Sequence, residues 1–512
     1  MSNNNYPEDN FWKNFPQKKL NGSLRSLRDI CMGNICHHFD QWMSYLPDDA
    51  HLCRNVTSPF NILSSNDTLE ILELLLKNKT FQPNHLNLIL HEKLTRMDFD
   101  YLLKVTDYEI NKKSLQIYIK VMFRRCKRIK YLSIENFHIS KVIRRRIGTY
   151  KNLEVLFLGE PNEEVMLKLS KYCNRLKMLH FQWSPLNAEN LQSISNFSEL
   201  QSLSIRCSRY TNISPLWSIL NGFSKLTSLV LDNCSLRYIE GITQCRDVLS
   251  NLTKLYFNEF CDVPFRDLIL ILTKCLVNVV DLKLPPIEGE DMSCSEILDS
   301  VAPLQFLRTL DLSRTYYELT GNFQSCLMKI GSRLKVLNLS SCSNVNLWIV
   351  RKNCENLEEL YSLSNYFIIP ERRDRTQSLK QNYCPKLRLF HLELFVSRIV
   401  RHNLSSDIEL NNALKDMMFL DSPISNLKLS ECNQEIFESI FNEMESYHLE
   451  RLEISRCMYV TVDNVIEILL KFVNLKYLSI NHCLTSLTRD EKKQIEDFVK
   501  QSRIDVTVNI LK

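Results

Sequence analysis

The chain has 512 residues, of which 44% are hydrophobic and 24% are charged, and its formal net charge is +5. Only nine residues are glycine, and no two of them lie closer than ten positions apart, which excludes a Walker phosphate loop and a dinucleotide-binding fingerprint. A net charge this small on a chain this long gives no reason to expect nucleic-acid or membrane partners.

The N-terminal residues 1–22 are polar and rich in asparagine and lysine, which predicts a disordered tail. The sequence does not open with a basic-then-apolar signal segment, and no apolar run approaches the ~20 residues of a membrane span. We therefore expect a cytoplasmic or nuclear protein whose eighteen cysteines are reduced thiols. No C-x-x-C pair and no catalytic spacing of polar residues occurs, so we expect no metal, no cofactor and no enzymatic activity.

The next predicted segment, residues 23–90, is helical and begins with an amphipathic helix. Its apolar stripe has spacings of three and four residues and consists of Leu27, Ile30, Cys31, Ile35 and Phe39. Ser26 and Asp29 are residue types that suit the beginning of a helix. This helix is the first candidate for a binding element.

A repeated frame, apolar-x-x-apolar-x-apolar, organises the rest of the chain. Fourteen frames begin 23 to 37 residues apart, at Ile129, Leu153, Leu176, Leu200, Leu226, Leu252, Val279, Leu307, Leu334, Leu357, Leu387, Ile424, Leu449 and Leu475. The last two apolar residues of each frame lie two apart and face one side of a short strand, and about twelve residues with helical spacing follow. One unit cannot bury its apolar side alone, whereas stacked units share a continuous core.

This pattern predicts an α/β fold, a leucine-rich repeat solenoid of about 14–15 repeats over residues 91–485. We expect a horseshoe with parallel strands on its concave face and helices on its convex face. An irregular first frame begins at Leu94, and residues 486–512 are predicted to form a helix and strand cap. Scarce glycine fits a periodic solenoid with few sharp turns.

Half of the cysteines occupy two fixed positions in the frame. Five lie eight residues after the first apolar residue, where leucine-rich repeats place a small inward-facing side chain: Cys234, Cys342, Cys432, Cys457 and Cys483. Four lie three residues before it, where other units have an aromatic residue: Cys126, Cys173, Cys354 and Cys384. We interpret these nine as packing residues rather than redox or metal-binding groups.

The string Ser26-Leu27-x-x-x-Cys31-x-x-x-Ile35 resembles the box that binds elongin C, which reads small residue, Leu, three of any kind, Cys, three of any kind, aliphatic. In that family the leucine inserts into a pocket of elongin C, and the cysteine and aliphatic residue complete the helix face. The resemblance therefore implies that Leu27, Cys31 and Ile35 form an adaptor-binding surface. Leu46 and Pro47 begin a weak version of the motif that selects the cullin.

The order of this box, Leu46-Pro47, a leucine-rich helix and repeats is similar to the N-terminal part of the Zyg-eleven and Zer-one receptors of cullin-two ubiquitin ligases. The resemblance implies a substrate-recognition subunit with elongin C and a cullin as partners. Those receptors have an armadillo-like region after their repeats, whereas the frames here continue to Ile480 with about thirty residues after it. Their substrate specificity is therefore not transferred to this chain.

Two other interpretations stay open. Leu46-Pro47 followed by the leucine-rich stretch 68–76 is similar to an F-box, which binds Skp-one, and cysteine-type repeats are typical of F-box receptors. However, Thr57-Ser58-Pro59 interrupts the helix that an F-box requires. The other interpretation is a stand-alone interaction scaffold unrelated to ubiquitin, in which the N-terminal helix caps the solenoid and buries its stripe on the first repeats.

Two regions of the repeats are candidates for binding a target protein. The period lengthens at residues 361–386 and 395–423, and insertions in a solenoid form loops that often lie on the binding side. The residue four positions after the start of each frame faces the concave sheet, which nominates Phe157, His180, Tyr256, Asp311, Tyr361 and His391. Aromatic side chains on a rigid sheet are good anchors for a protein partner.

Overall fold

The structure is a computed structural model, and it divides into two compact units, Met1–Tyr131 and Leu132–Lys512. It describes residues 26–44, 46, 59–106, 111–183, 194–212, 215–235, 245–258, 268–269, 271–285, 293–314, 321–342, 345–363, 367–368, 384–393, 399–400, 424–430, 434–443, 448–457, 459–483, 489–502 and 506–511.

The first unit is mainly helical in its described part. Its elements are α1 (Leu27–His37), α2 (Phe39–Met43), α3 (Ser65–Lys77), α4 (Leu86–Ile89), α5 (Phe99–Val105), α6 (Lys112–Arg125), short 3-10 helices at Pro59–Ile62 and Pro83–His85, and strand β1 (Arg96–Asp98). Helix α3 begins with a capping box formed by Ser64 and Asp67. Its buried side chains follow the three-and-four spacing of an amphipathic helix: Thr68, Ile71, Leu72, Leu75 and Leu76.

The second unit is built on strands. They are β2 (Tyr131–Ile134), β3 (Val155–Leu158), β4 (Met178–Trp183), β5 (Ser202–Asn212), β6 (Ser228–Ser235), β7 (Lys254–Phe257), β8 (Asp281–Lys283), β9 (Thr309–Asp311), β10 (Val336–Asn338), β11 (Glu359–Ser362), β12 (Phe367–Ile368), β13 (Leu389–Glu393), β14 (Ile399–Val400), β15 (Asn426–Ser430), β16 (Arg451–Ser455), β17 (Tyr477–Asn481) and β18 (Thr507–Leu511).

Helices alternate with these strands along the chain. They are α7 (Lys141–Arg146), α8 (Glu163–Tyr172), α9 (Pro215–Leu220), α10 (Arg246–Asn251), α11 (Ser293–Val301), α12 (Gly321–Ile330), α13 (Leu347–Asn353), α14 (Gln434–Glu443), α15 (Val462–Lys471) and α16 (Arg489–Gln501), with a π-helical turn at Ile271–Cys275 and 3-10 turns at Ile147–Thr149 and Gly331–Arg333. None of the helices in the described residues is long and apolar enough to span a bilayer.

In the second unit, fifteen of the described strands form one sheet in chain order, β2 to β11, then β13 and β15 to β18, while β12 and β14 pair with each other. Every strand pair whose register is described is parallel, and equivalent frame positions lie opposite each other, as Leu156 lies opposite Leu179 and Leu337 opposite Leu360. The repeating frame therefore sets the register of the sheet.

The apolar residues of the frames form the core. The first residue of all fourteen frames is at most 2% exposed, and so is the second. A fully buried leucine contributes about 1.5–3 kcal/mol relative to an exposed one, and stacking multiplies this gain over the repeats. These findings confirm the predicted fold: the chain is an α/β leucine-rich repeat solenoid, a fold typical of protein-interaction modules.

Five repeats have a residue in the left-handed region seven positions after the start of the frame, near the end of the strand or just after it: Asn233, Arg314, Ser341, Arg456 and His482. In four of these repeats the following residue is a buried cysteine: Cys234, Cys342, Cys457 or Cys483. The Cys342 thiol donates to the carbonyl oxygen of Leu312 in the preceding repeat, with Sγ 3.1 Å from the oxygen. Sharp turns are therefore present, and non-glycine residues make them.

The packing role predicted for nine cysteines is confirmed for the eight that the structure describes, since each of them is buried. Burial raises the pKa of the Cys173 thiol to about 12, which keeps it protonated and unreactive at neutral pH. The ninth, Cys432, lies outside the described residues. These thiols behave as small hydrophobic side chains.

Candidate functional site

Helix α1 begins where the sequence predicted. The Ser26 hydroxyl accepts a hydrogen bond from the backbone N–H of Asp29 at 3.1 Å, and the Asp29 carboxylate accepts one from the backbone N–H of Ser26 at 3.2 Å. This capping box satisfies two amide groups that the first helical turn leaves without partners. The Asp29 carboxylate also lies at the positive end of the helix dipole.

The inner face of α1 and α2 is buried within the first unit. Met32, Cys36 and Phe39 are at most 9% exposed. The Cys36 thiol donates to the carbonyl oxygen of Ile71 on α3 across 3.8 Å, and its burial raises its pKa to about 11. The Phe39 ring stacks on Phe60, with ring centroids 5.5 Å apart.

The outer face of α1 is apolar and exposed. Leu27 is 78% exposed and Ile30 46%, Cys31 is exposed, and Ile35 is partly exposed. This finding contradicts burial of the stripe in a cap helix, because only the opposite face is covered. An exposed apolar strip of this kind usually marks a binding surface.

Phe39 does not belong to this stripe, contrary to the sequence prediction. The backbone leaves the helical path at His38, with φ −101° and ψ 16°, and α2 begins immediately afterwards. Phe39 is the first residue of α2 and is 1% exposed. It lies seven residues after Met32 and three after Cys36, both buried, so helical spacing also groups it with the buried face, and the spacing from Ile35 alone was misleading.

An ion-pair cluster holds α1 against α3. The Arg28 guanidinium lies 2.7 Å from Oδ1 of Asp67 and 2.6 Å from Oε2 of Glu70. Its hydrogen bond to the Asp67 carboxylate, with a further one from the Ser64 hydroxyl, lowers the pKa of that carboxyl. Arg28 is the residue after Leu27, so the cluster fixes the end of the helix that carries the most exposed leucine.

Leu46 and Pro47 are the other two residues predicted to bind an adaptor. Leu46 is partly buried, and Pro47 lies outside the described residues. The leucine-rich stretch that an F-box would offer to Skp-one is part of α3, where Leu72, Leu75 and Leu76 are at most 9% exposed. These leucines contribute to the core of the first unit.

The sheet face opposite the buried leucines is here called the open face. It has a row of linked charged side chains that sequence analysis missed. Arg206 Nη1 lies 3.0 Å from Glu135 Oε1, and Arg206 Nε lies 2.8 Å from Asp232 Oδ2. All three residues stand six positions after the start of their frames. Alternation placed them on this face, but it does not predict that Arg206 on β5 reaches Glu135, which follows β2, across two intervening strands.

His180 lies beside this row of charged side chains. Its Nδ1 is 2.7 Å from the Ser204 hydroxyl, its Nε2 is 3.2 Å from Glu135 Oε1, and its ring centroid is 5.5 Å from that of Phe157. His180 is only 6% exposed, so it does not offer the exposed ring that its frame position suggested. Phe157, one strand earlier, remains partly exposed.

Tyr256 and Asp311 lie two strands apart on the open face. Lys254 Nζ stands 4.3 Å from the centre of the Tyr256 ring. Burial, with the nearby carboxylates, raises the pKa of the Tyr256 phenol. The Asp311 carboxylate accepts hydrogen bonds from the Ser313 N–H at 2.8 Å and the Asn338 amide at 3.1 Å. Both predicted residues are engaged with neighbours.

Tyr361 and His391 form an edge-to-face pair on adjacent strands, with ring centroids 4.9 Å apart and planes 84° apart. The Tyr361 hydroxyl donates to Glu359 Oε2 at 2.8 Å. The two insertions of the period, 361–386 and 395–423, contain β12 and β14, which pair with each other. Both rings are partly exposed. The β12–β14 pair links the two insertions that sequence analysis treated separately.

The six nominated residues therefore do not converge on one site. Two pairs are in contact, Phe157 with His180 and Tyr361 with His391, while Tyr256 and Asp311 have other neighbours. The exposed face of α1 is the most sharply defined candidate for binding. Its residues share one side of one helix, and side-chain contacts hold that helix in place.

No protein-family model matches the chain, and no curated protein matches its sequence. Several solved structures are similar in fold. A chain of the yeast Rad7 and Elc1 complex is 15% identical, with 95% of this chain and 98% of that chain covered and a TM-score of 0.42. An internalin, InlF of Listeria monocytogenes, is 15% identical, with 80% and 92% covered and a TM-score of 0.32. The mouse RP105/MD-1 complex contains a chain that is 15% identical, with 74% and 66% covered and a TM-score of 0.37. Each likeness concerns the fold alone.

Proposed function

We propose that this chain is the substrate-recognition subunit of a cullin–elongin ubiquitin ligase. Helix α1 docks elongin C, and the repeats hold a target protein. The observation that carries the proposal is that Leu27, Cys31 and Ile35, the positions of the elongin C box, lie on the exposed side of α1 while its other side is buried.

The affinity comes from apolar burial on a helix that is already in place. Leu27 has most of its surface in water, and transfer of such a side chain into an adaptor pocket gains about 1.5–3 kcal/mol. The capping box and the Arg28 contacts to α3 hold the helix before the partner arrives. Binding then requires little further ordering, which preserves more of the contact energy as affinity.

The chain has a positioning role in this proposal. Elongin C links it to a cullin, of the cullin-two type by the resemblance of Leu46-Pro47, and the associated subunits transfer ubiquitin. The open face, with its partly exposed Tyr361 and His391, presents the target protein. Among the described cysteines, those that are buried serve packing, and exposed Cys31 serves docking.

The test is binding of purified elongin C to the full-length chain, measured by isothermal titration calorimetry. We expect wild type to bind and the Leu27→Ala/Cys31→Ala variant to bind at least about tenfold more weakly, because the lost apolar contact exceeds 1.4 kcal/mol. Leu167→Ala is a matched control, since Leu167 is a 49% exposed leucine on α8, outside the box. It should bind like wild type.

Two outcomes contradict the proposal. Wild-type protein that fails to bind elongin C excludes the elongin role, and equal binding by the double variant shows that α1 is not the docking element. Binding of purified Skp-one instead of elongin C assigns the chain to the F-box receptors. Binding of neither adaptor favours an interaction scaffold without a link to ubiquitin.

A further inference from the structure

Trp42 on α2 is an exposed aromatic side chain with a fixed orientation. Its ring system lies 6.2 Å from the Phe60 ring, with the planes 20° apart, and Phe60 also stacks on buried Phe39. Trp42 nevertheless remains 40% exposed. A large aromatic side chain held in place before binding loses little entropy on contact, which is a property of interface hot spots.

A shallow hollow of about 400 Å³ opens beside Trp42. Its lining consists of Asn34, Ile35, His38, Gln41 and Trp42. The lining includes no carboxylate, ammonium or guanidinium group, and Ile35 and Trp42 form apolar walls. An uncharged, largely apolar side chain is therefore the chemically matched occupant.

The hollow continues the exposed face of α1. Ile35 belongs both to the elongin C box and to the hollow. On α1, Leu27, Cys31 and Asn34 follow one another at spacings of four and three residues, so they share one side of the helix, and Asn34 also lines the hollow. A partner that covers Leu27 and Cys31 and continues along this side of α1 therefore reaches the hollow.

We infer that the hollow between Ile35 and Trp42 is a second docking position for elongin C, which fills it with an apolar side chain while Leu27 occupies the adaptor's own pocket. The inference rests on the proposed function and extends it by about two helical turns beyond the box. It assigns to Trp42 a direct part in adaptor binding that the box does not include.

The test uses the full-length chain and purified elongin C in the same calorimetric assay. We expect Trp42→Ala to weaken binding about 10- to 30-fold, as loss of a central aromatic anchor does. Gln41→Arg should weaken it to a similar extent, because a long charged side chain then occupies the hollow while Trp42 and Phe60 stay in place. Ile62→Ala is the matched control, since Ile62 is an 84% exposed apolar residue that does not line the hollow.

The two proposals fail in different ways. Loss of binding in Leu27→Ala/Cys31→Ala together with unchanged binding in Trp42→Ala and Gln41→Arg overturns the second docking position and leaves the function intact. Absence of binding by wild type overturns both. Circular dichroism and the midpoint of urea unfolding show whether Trp42→Ala folds normally. If this variant has a folding defect, Gln41→Arg alone decides the inference.

Discussion

The guanidinium of Arg206 lies 3.0 Å from the carboxylate of Glu135, which is 71 positions earlier in the chain. Arg206 also contacts Asp232 on the next strand, so one cation links residues of three repeats. The side chains of Glu135, Arg206 and Asp232 are 11%, 23% and 15% exposed. Charges with so little water around them depend on one another for stabilisation.

We predict that Arg206→Met lowers the free energy of unfolding by about 2 kcal/mol, because two carboxylates lose their cation in a partly buried site. Lys225→Met is the control, since Lys225 pairs with Glu199 at 2.7 Å while half of its side chain is exposed. An exposed pair contributes at most about 1 kcal/mol. Urea unfolding followed by circular dichroism measures both, and equal effects would contradict a special role for Arg206.

The sequence predicted the repeat because each frame reports the same physical requirement, a buried leucine such as Leu156 or Leu337 at a fixed position. The same alternation shows which side of the sheet a residue faces, but not which neighbour it meets. Arg206 and Glu135 meet across the repeats that lie between them, and His180 is covered where it contacts Phe157, Ser204 and Glu135. Periodicity alone therefore could not predict which side chains pair on the open face.

The exposed face of α1 was predicted in part for a related reason. Helical spacing grouped Leu27, Cys31 and Ile35 correctly, but it also included Phe39, which lies beyond the break at His38. Spacing alone cannot show which of two apolar faces is covered. Met32 and Cys36 face α3, and only their burial identifies the other face as free for binding.

A second prediction concerns the left-handed turns. Ser341 has φ 61°, a conformation that costs about 1–2 kcal/mol for a residue with a side chain. We expect Ser341→Gly to stabilise the protein by about 0.5 kcal/mol, because removal of this strain exceeds the added entropy of the unfolded chain. Gly159→Ala is the opposite case, since a Cβ there would lie 2.5 Å from the carbonyl oxygen of Glu135.

Differential scanning calorimetry of the two variants checks this pair. Ser341→Gly should unfold at a higher temperature than wild type, and Gly159→Ala at a lower one. A lower unfolding temperature for Ser341→Gly would show that the serine side chain contributes more than its backbone strain costs.

A third prediction concerns pH and Asp98, which caps α5. Its carboxylate accepts hydrogen bonds from the Tyr101 N–H at 2.8 Å and the Tyr131 hydroxyl at 3.0 Å, but burial outweighs them and raises its pKa to about 6. The native state therefore binds a proton at a higher pH than the unfolded chain, where the pKa is 3.8. This group makes unfolding harder as the pH falls from about 7 towards 5.

Asp98→Asn keeps an acceptor for the cap but removes the titration. Urea midpoints of wild type and Asp98→Asn at pH 7 and pH 5 isolate the effect, because all other groups titrate alike in both proteins. Wild type should gain stability relative to the variant at the lower pH. Parallel changes in the two proteins would show that Asp98 stays ionised down to pH 5.

The last prediction distinguishes a docking cysteine from packing cysteines. Cys31 is exposed on α1, whereas Cys36, one turn along the same helix, is 9% exposed and has a pKa raised by burial to about 11. Iodoacetamide reacts with accessible thiolates, so native protein should be alkylated at Cys31 and protected at Cys36. Saturating elongin C should then slow the reaction at Cys31 at least about tenfold, because the proposed interface covers this residue. Mass spectrometry of tryptic peptides gives the rate at each site, and the Leu27→Ala variant, which binds less adaptor, should lose the protection in proportion. Unchanged alkylation of Cys31 in a complex that calorimetry shows to be saturated would place elongin C elsewhere on the chain.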